Sequence, residues 1–223
     1  MLIITGTGRC GTSFFAEWLY RCGYACIGGD WRERINAGRE SKELLTINSA
    51  IHKRTMTEDE IAEAIKAVDL LVAKDPRFVS QHAVAEWVKH RSDLRFILMY
   101  RECRAAAEST RAALRVGGEI NGTESDHAAL LRGQLVRFAK VCREHRVPVT
   151  VVRYPQVLTD FQLAFRTATL FGGLALDRKV ERHEWNNLVD PDLVHFSGSD
   201  RDNFYSSLVR MFTYPAESQS ESA

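Results

Sequence analysis

Gly6-Thr7-Gly8-Arg9-Cys10-Gly11-Thr12-Ser13 lies between an apolar run, Leu2-Ile3-Ile4-Thr5, and a helical pattern over residues 14–22. Gly6 and Gly11 have the GxxxxG spacing of a phosphate-binding loop that leads from a strand into a helix. Glycines let several backbone N–H groups converge on one anion, and the helix N-terminus adds a favourable dipole. Thr12 and Ser13 bring hydroxyl donors and Arg9 a fixed cation. A nucleoside-triphosphate loop would carry lysine where Thr12 stands, with an acid for Mg²⁺ at a strand end. Here the second apolar run, Leu70-Leu71-Val72-Ala73, continues into Lys74-Asp75-Pro76. The pattern implies a phosphate held without a metal.

Outward from this loop, short apolar runs alternate with helical patterns: residues 70–73 with 78–91, 96–100 with 104–115, and 149–152 with 161–171. The alternation predicts an α/β domain with a parallel sheet covered by helices on both faces. Ligands of such sheets sit at the carboxyl ends of the strands. Thr57 with Glu60 and Thr159 with Gln162 fit the capping box of a helix start. Residues 28–56 are polar, of mixed charge and only sparsely apolar, and read as a mobile lid or substrate-facing insertion. Residues 115–126 read as a flexible link. One domain is expected over 1–214, followed by a frayed tail at 215–223.

Thirty Lys and Arg against 29 Asp and Glu leave a net charge of +1, which argues against a nucleic-acid polymer or an acidic membrane as partner. A small, multiply charged anion remains compatible. Five cysteines, an odd number with no CxxC pair, suit a reducing cytoplasm. Cys22 and Cys26 have the spacing of zinc ligands, but no second pair follows. The opening MLIITGTG has no basic leader or cleavage site, and no apolar run approaches the ~18 residues of a membrane span.

Arg9-Cys10-Gly11-Thr12-Ser13 resembles the [KR]-x-G-T-[ST] signature of sulfotransferases that use 3′-phosphoadenosine 5′-phosphosulfate. Arg101 at a strand end, with Ser109 eight positions on, is similar to that family's 3′-phosphate motif. Val152-Arg153-Tyr154-Pro155-Gln156-Val157-Leu158, followed by Leu170-Phe171-Gly172-Gly173, is similar to its RYEDL…FLG element, with Pro155 and Gln156 at the two acidic positions. Trp185-Asn186-Asn187-Leu188 looks like the tryptophan loop of bacterial members. The resemblance runs from residue 3 to about 190 and implies a three-layer α/β/α, P-loop NTPase-like sulfotransferase fold. It also implies 3′-phosphoadenosine 5′-phosphosulfate as donor, adenosine 3′,5′-bisphosphate as product, and no metal. Gly8, Arg9, Cys10, Gly11, Thr12 and Ser13 would then cradle the 5′-phosphosulfate. Arg101 and Ser109 would hold the 3′-phosphate and Tyr154 would approach the adenine. Arg178, Lys179, Arg182 or Arg201 would close over the nucleotide.

Sulfuryl transfer needs positioning, cations on the peripheral oxygens and a base for the acceptor proton. Arg9 is expected to act electrostatically, because its pKa is too high for proton transfer. Lys74 resembles the family's lysine beside the sulfonate and can serve as point charge and proton donor. The histidine base of the animal enzymes has no counterpart after Lys74. The base is therefore sought among carboxylates, in the order Asp30, Glu33, Asp75, with His52 as an alternative. The acceptor is a hydroxyl or amine of a small molecule, glycan or lipid-like metabolite. Trp31 and Ile35 would offer an apolar wall, and Arg32, Arg34 and Arg39 would meet an acidic or already sulfated acceptor. A small-molecule kinase and a non-catalytic nucleotide-binding protein are the competing readings.

Overall fold

The computed structural model describes residues 1–24, 42–80, 83–114, 122–189 and 203–212. Four strands, β1 (Leu2–Gly6), β2 (Val72–Lys74), β3 (Arg95–Tyr100) and β4 (Val149–Arg153), form a sheet in the order β2-β1-β3-β4. Every pairing is parallel; Ile4 pairs with Lys74 on one side of β1 and with Ile97 on the other. Parallel neighbours require crossover connections, and here these are helical.

Side chains alternate along each strand. Leu2, Ile4, Val72, Ile97, Met99 and Val152 face one apolar layer, whereas Ile3, Phe96, Leu98 and Tyr100 face the other. The first layer is completed by α1 (Thr12–Arg21), α8 (Gln156–Thr159), α9 (Phe161–Arg166), a π-helical turn (Thr167–Phe171) and α10 (Arg178–Leu188). The second is completed by α2 (Lys42–Lys53), α3 (Glu58–Ala67), α4 (Arg77–Ser80), α5 (Val84–His90), α6 (Cys103–Leu114), α7 (Glu124–Glu144) and α11 (Asn203–Phe212). A sheet buried on both faces needs strands that are near-continuously apolar, and β1 and β3 are, apart from the buried Thr5 and the exposed Arg95 that opens β3. The architecture is thus the three-layer α/β/α sandwich expected from the alternation.

Several local expectations are corrected. The lid expected over residues 28–56 includes α2, whose Leu44, Ile47 and Ala50 are buried in the core. Leu44, Ile47, Asn48 and Ile51 share one helical face, a stripe masked in the sequence by polar neighbours. Residues 25–41 lie outside the described residues, as do 115–121 of the expected link and 213–223, which include the expected tail. The end of that link is a helix start: Thr123 and Asp126 form a reciprocal capping box on α7. At α9 the cap is Asp160, accepting from the Leu163 N–H at 3.0 Å, one residue beyond the expected Thr159. The expected tryptophan loop is the last part of α10, where Trp185 is buried edge-on to Phe14 and Phe161. β2 begins two residues later than the apolar run, and Lys74 stands at its end, as expected.

Cys10, Cys103 and Cys142 are buried free thiols, and Cys22 is half-buried. Among the described residues no group of three or more His, Cys, Asp or Glu side chains is placed to hold a metal. None of the described helices is long and apolar enough to cross a membrane.

The Thr57 cap of α3 is reciprocal, its hydroxyl accepting from the Glu60 N–H while Glu60 accepts from the Thr57 N–H at 2.8 Å. Thr57→Ala is expected to lower stability by about 1 kcal/mol, read as a shift in the urea midpoint at unchanged slope.

Candidate functional site

The strand order places β1 between β2 and β3: the chain runs outward from β1 to β2, then crosses back over β1 to β3 on its other side. Crevices at such a switch point are where open α/β sheets bind ligands. The glycine loop after β1, Arg101 after β3 and Tyr154 after β4 all emerge at this sheet edge, and Lys74 ends β2 there.

The loop is shaped by close approach. A β-carbon on Gly6 would collide with the Met99 carbonyl oxygen and lie 2.5 Å from Cys10 Sγ. Gly11 has φ of 88°, and a β-carbon there would enter the Tyr154 ring, 2.7 Å from Cε2. Gly8 is exposed, with nothing within 4 Å of a β-carbon, so its backbone faces open space. Arg9 holds φ of 64°, a left-handed conformation that is unfavourable for a side-chain-bearing residue. Arg101 Nη1 donates to the Arg9 carbonyl oxygen at 3.2 Å, bracing that turn from β3.

At α1 the N-cap is Gly11, which offers no side-chain hydrogen bond, and the first turn holds no acid. The starts of α3, α7, α9 and α10 are all capped by hydroxyl or carboxylate oxygens. No side-chain oxygen caps this turn: the Thr12 N–H is directed at the Cys10 thiol, and an anion arriving from outside the helix would meet the positive end of the dipole.

Cations surround this terminus. Arg9 is exposed and its Nε lies 3.4 Å from Ser109 Oγ on α6. Arg101 is partly buried, with its guanidinium 5.8 Å from the centre of the Tyr154 ring. Its pKa is lowered by desolvation first and by the Arg9 charge as well. Lys74 is 3% exposed. Burial pushes the Cys10 thiol up to about 11, while the Thr12 N–H and the charges of Lys74 and Arg101 act in the opposite sense. Both charges thus act on the thiol within the loop. Three cations sharing one small volume repel one another, and a bound polyanion relieves that repulsion.

The sequence-derived residues fall into three groups. Gly8, Arg9, Cys10, Gly11, Thr12, Ser13, Lys74, Arg101, Ser109 and Tyr154 belong to this sheet edge. Thr12 is buried and Ser13 exposed at the first turn of α1. Tyr154 takes a packing role as well, its ring resting on Gly11, with burial raising its pKa and Arg101 opposing the rise. Asp30, Glu33 and Arg201, like Trp31, Ile35, Arg32, Arg34 and Arg39, lie outside the described residues. Among the remaining candidates, His52, Arg178, Lys179 and Arg182 are exposed, and Arg182 lies over the Phe161 ring at 5.9 Å. Asp75 is fully buried and accepts from Asn48 Nδ2 at 2.9 Å, so its carboxylate faces α2 rather than solvent. Asn48, Thr5 and Trp87, which surround Asp75, have no counterpart among the sequence-derived residues. They come from separate elements, and no local spacing joins them.

Neither the family models nor the curated protein sequences give a match. Among solved structures, the sulfotransferase domain from the curacin biosynthetic pathway superposes with a TM-score of 0.51 at 14% identity, covering 81% of this chain and 76% of that one. The fold is sulfotransferase-like. The sulfotransferase domain of the Synechococcus PCC 7002 olefin synthase matches with a TM-score of 0.48 and 15% identity over 97% of this chain and 89% of that one.

Two outcomes follow from the loop geometry. Gly11→Ala is expected to lower stability by about 1–3 kcal/mol through backbone strain and the clash with Tyr154, whereas Gly8→Ala changes it by less than ~0.5 kcal/mol; urea denaturation reads both. At pH 8 the raised Cys10 pKa reduces the thiolate fraction roughly a hundredfold relative to an ordinary thiol. Mass spectrometry is therefore expected to find Cys10 unmodified by iodoacetamide until urea unfolds the chain. Prompt labelling in the folded protein would contradict that.

Proposed function

We propose that the protein is a sulfotransferase, moving a sulfuryl group from 3′-phosphoadenosine 5′-phosphosulfate to a hydroxyl or amine of a small-molecule, glycan or lipid-like acceptor. The observation that carries this reading is the uncapped N-terminus of α1, beneath the open Gly8 backbone and flanked by Arg9, Lys74 and Arg101. The donor set suits a polyanion with more than one charged group: backbone amides and Thr12 and Ser13 hydroxyls at the loop, the Arg101 guanidinium just before α6, and the Ser109 hydroxyl midway along that helix. The fold of the curacin-pathway domain adds support from architecture alone.

When bound, 3′-phosphoadenosine 5′-phosphosulfate supplies an electrophilic sulfur and a bisphosphate leaving group. In this reading Gly8, Arg9, Cys10, Gly11, Thr12 and Ser13 hold the 5′ group through their amides and hydroxyls. Arg101 and Ser109 hold the 3′-phosphate, Tyr154 adjoins the adenine and Arg201 closes the nucleotide side. Arg9 lowers the energy of charge building on the leaving oxygen and keeps its own proton. Lys74 adds a buried positive charge beside the sulfonate, where it acts more strongly than in water. Asp30, or Glu33 in its place, accepts the acceptor's proton.

Thermal shift with adenosine 3′,5′-bisphosphate and no metal tests this directly. At a hundred times its Kd the ligand is expected to add about 2.7 kcal/mol of stability, while Mg-ATP adds none; stabilisation by Mg-ATP alone would overturn the proposal. Arg101→Met and Gly8→Ala are expected to weaken bisphosphate binding at least tenfold. Transfer of ³⁵S from labelled donor into an acceptor pool, lost in Arg9→Ala, separates catalysis from binding alone.

A further inference from the structure

Asn48 occupies a helix position that would ordinarily be apolar. It shares the core-facing stripe of α2 with Leu44, Ile47 and Ile51, and it is 0% exposed. A buried amide is unfavourable unless both its ends are satisfied, and here both are. Trp87 Nε1 donates to Asn48 Oδ1 at 2.6 Å, and Asn48 Nδ2 donates to Asp75 Oδ2 at 2.9 Å. Trp87 and Asp75 are themselves fully buried. The Asp75 backbone is fixed as well: its N–H donates to the Ile4 carbonyl at 3.1 Å, and its carbonyl accepts from Thr5 Oγ1 at 2.9 Å.

The network therefore clamps the residue that follows Lys74. Neighbouring residues of an extended chain point to opposite faces. The Asp75 carboxylate is held on the α2 face, while Lys74, two residues after Val72 in β2, is on the other face, that of the layer in which Val72 and Cys10 pack. Two opposite charges thus straddle the end of β2. A carboxylate released from Asn48 would compete for the adjacent ammonium and draw it from the loop.

We propose that Asn48 is a positioning residue that holds the Asp75 carboxylate on the α2 face and so keeps the Lys74 ammonium directed at the glycine loop. The inference rests on the sulfuryl-transfer reading, in which Lys74 meets the sulfonate. Asn48→Asp is nearly isosteric and keeps an acceptor for Trp87, but it sets a second carboxylate against Asp75. Trp87→Phe keeps an aromatic ring in the core and removes only the donor that orients the amide.

The test compares two probes on each folded variant by calorimetry: 3′-phosphoadenosine 5′-phosphosulfate, and adenosine 3′,5′-bisphosphate, which lacks the sulfonate. Affinity for the phosphosulfate is expected to fall at least tenfold in Asn48→Asp and about threefold in Trp87→Phe, with bisphosphate affinity kept within twofold. Equal losses for both probes, or no loss for either, overturn the inference, because a merely structural role cannot distinguish the ligands. If Asn48→Asp does not fold, Trp87→Phe decides by the same ratio, and failure of both to fold assigns the network to stability alone. Wild-type protein that binds neither probe overturns the sulfuryl-transfer reading, and this inference with it.

Discussion

Where β1 leaves the sheet, the backbone passes so close to β3 and β4 that side chains are excluded at two points. Gly6 lies against the Met99 carbonyl and Gly11 against the face of Tyr154. This approach forces the chain to turn within a few residues and start α1 without a polar cap. It also sets Arg9 in a left-handed turn braced by Arg101. Broader side chains at either glycine would push the loop away from β3 and separate the cations that now share one edge. The site is therefore a consequence of how closely the first strand is packed at its exit.

That packing trades local stability for chemistry. A hydroxyl or carboxylate at the α1 cap would satisfy amides and stabilise the helix, as the caps of α3, α7, α9 and α10 do. At α1 the same oxygen would compete with any anionic ligand. Strain at Arg9 and partial burial of Arg101 follow the same logic, since both are unfavourable in the ligand-free chain and both favour an arriving negative charge. Sites of this type concentrate local violations of the rules that the rest of a fold obeys.

Much of this could be read from sequence because strand-to-helix loops are local. Gly6 to Ser13 are consecutive, and Arg101 follows directly on the apolar run of β3, so spacing and patterning sufficed. The α2 helix escaped notice because its stripe contains Asn48 and is flanked by lysines, a glutamate and a serine, which dilute the apolar period. The capping box of α7 uses aspartate in place of glutamate within a Gly-rich stretch, which reads as a link. The loop reading of Trp185 comes from the family resemblance rather than from its neighbours, and burial against Phe14 and Phe161 holds the segment in a helix despite the weak helix propensity of its asparagines. The surroundings of Asp75 were invisible for a different reason: Thr5, Asn48 and Trp87 meet only once the sheet and its helices are assembled.

The strand order carries a consequence for the history of each molecule. β1 is synthesised first, yet Leu2 must wait for Val72 on one side and for Arg95 on the other, and β3 in turn waits for Val149. Parallel pairings between such distant segments form slowly, because the chain must close long loops before any contact is made. During that interval the apolar first strand is without its neighbours, and the cation cluster does not yet exist. The cluster of cations at this edge is thus assembled only at the end of folding, by the same act that completes the sheet.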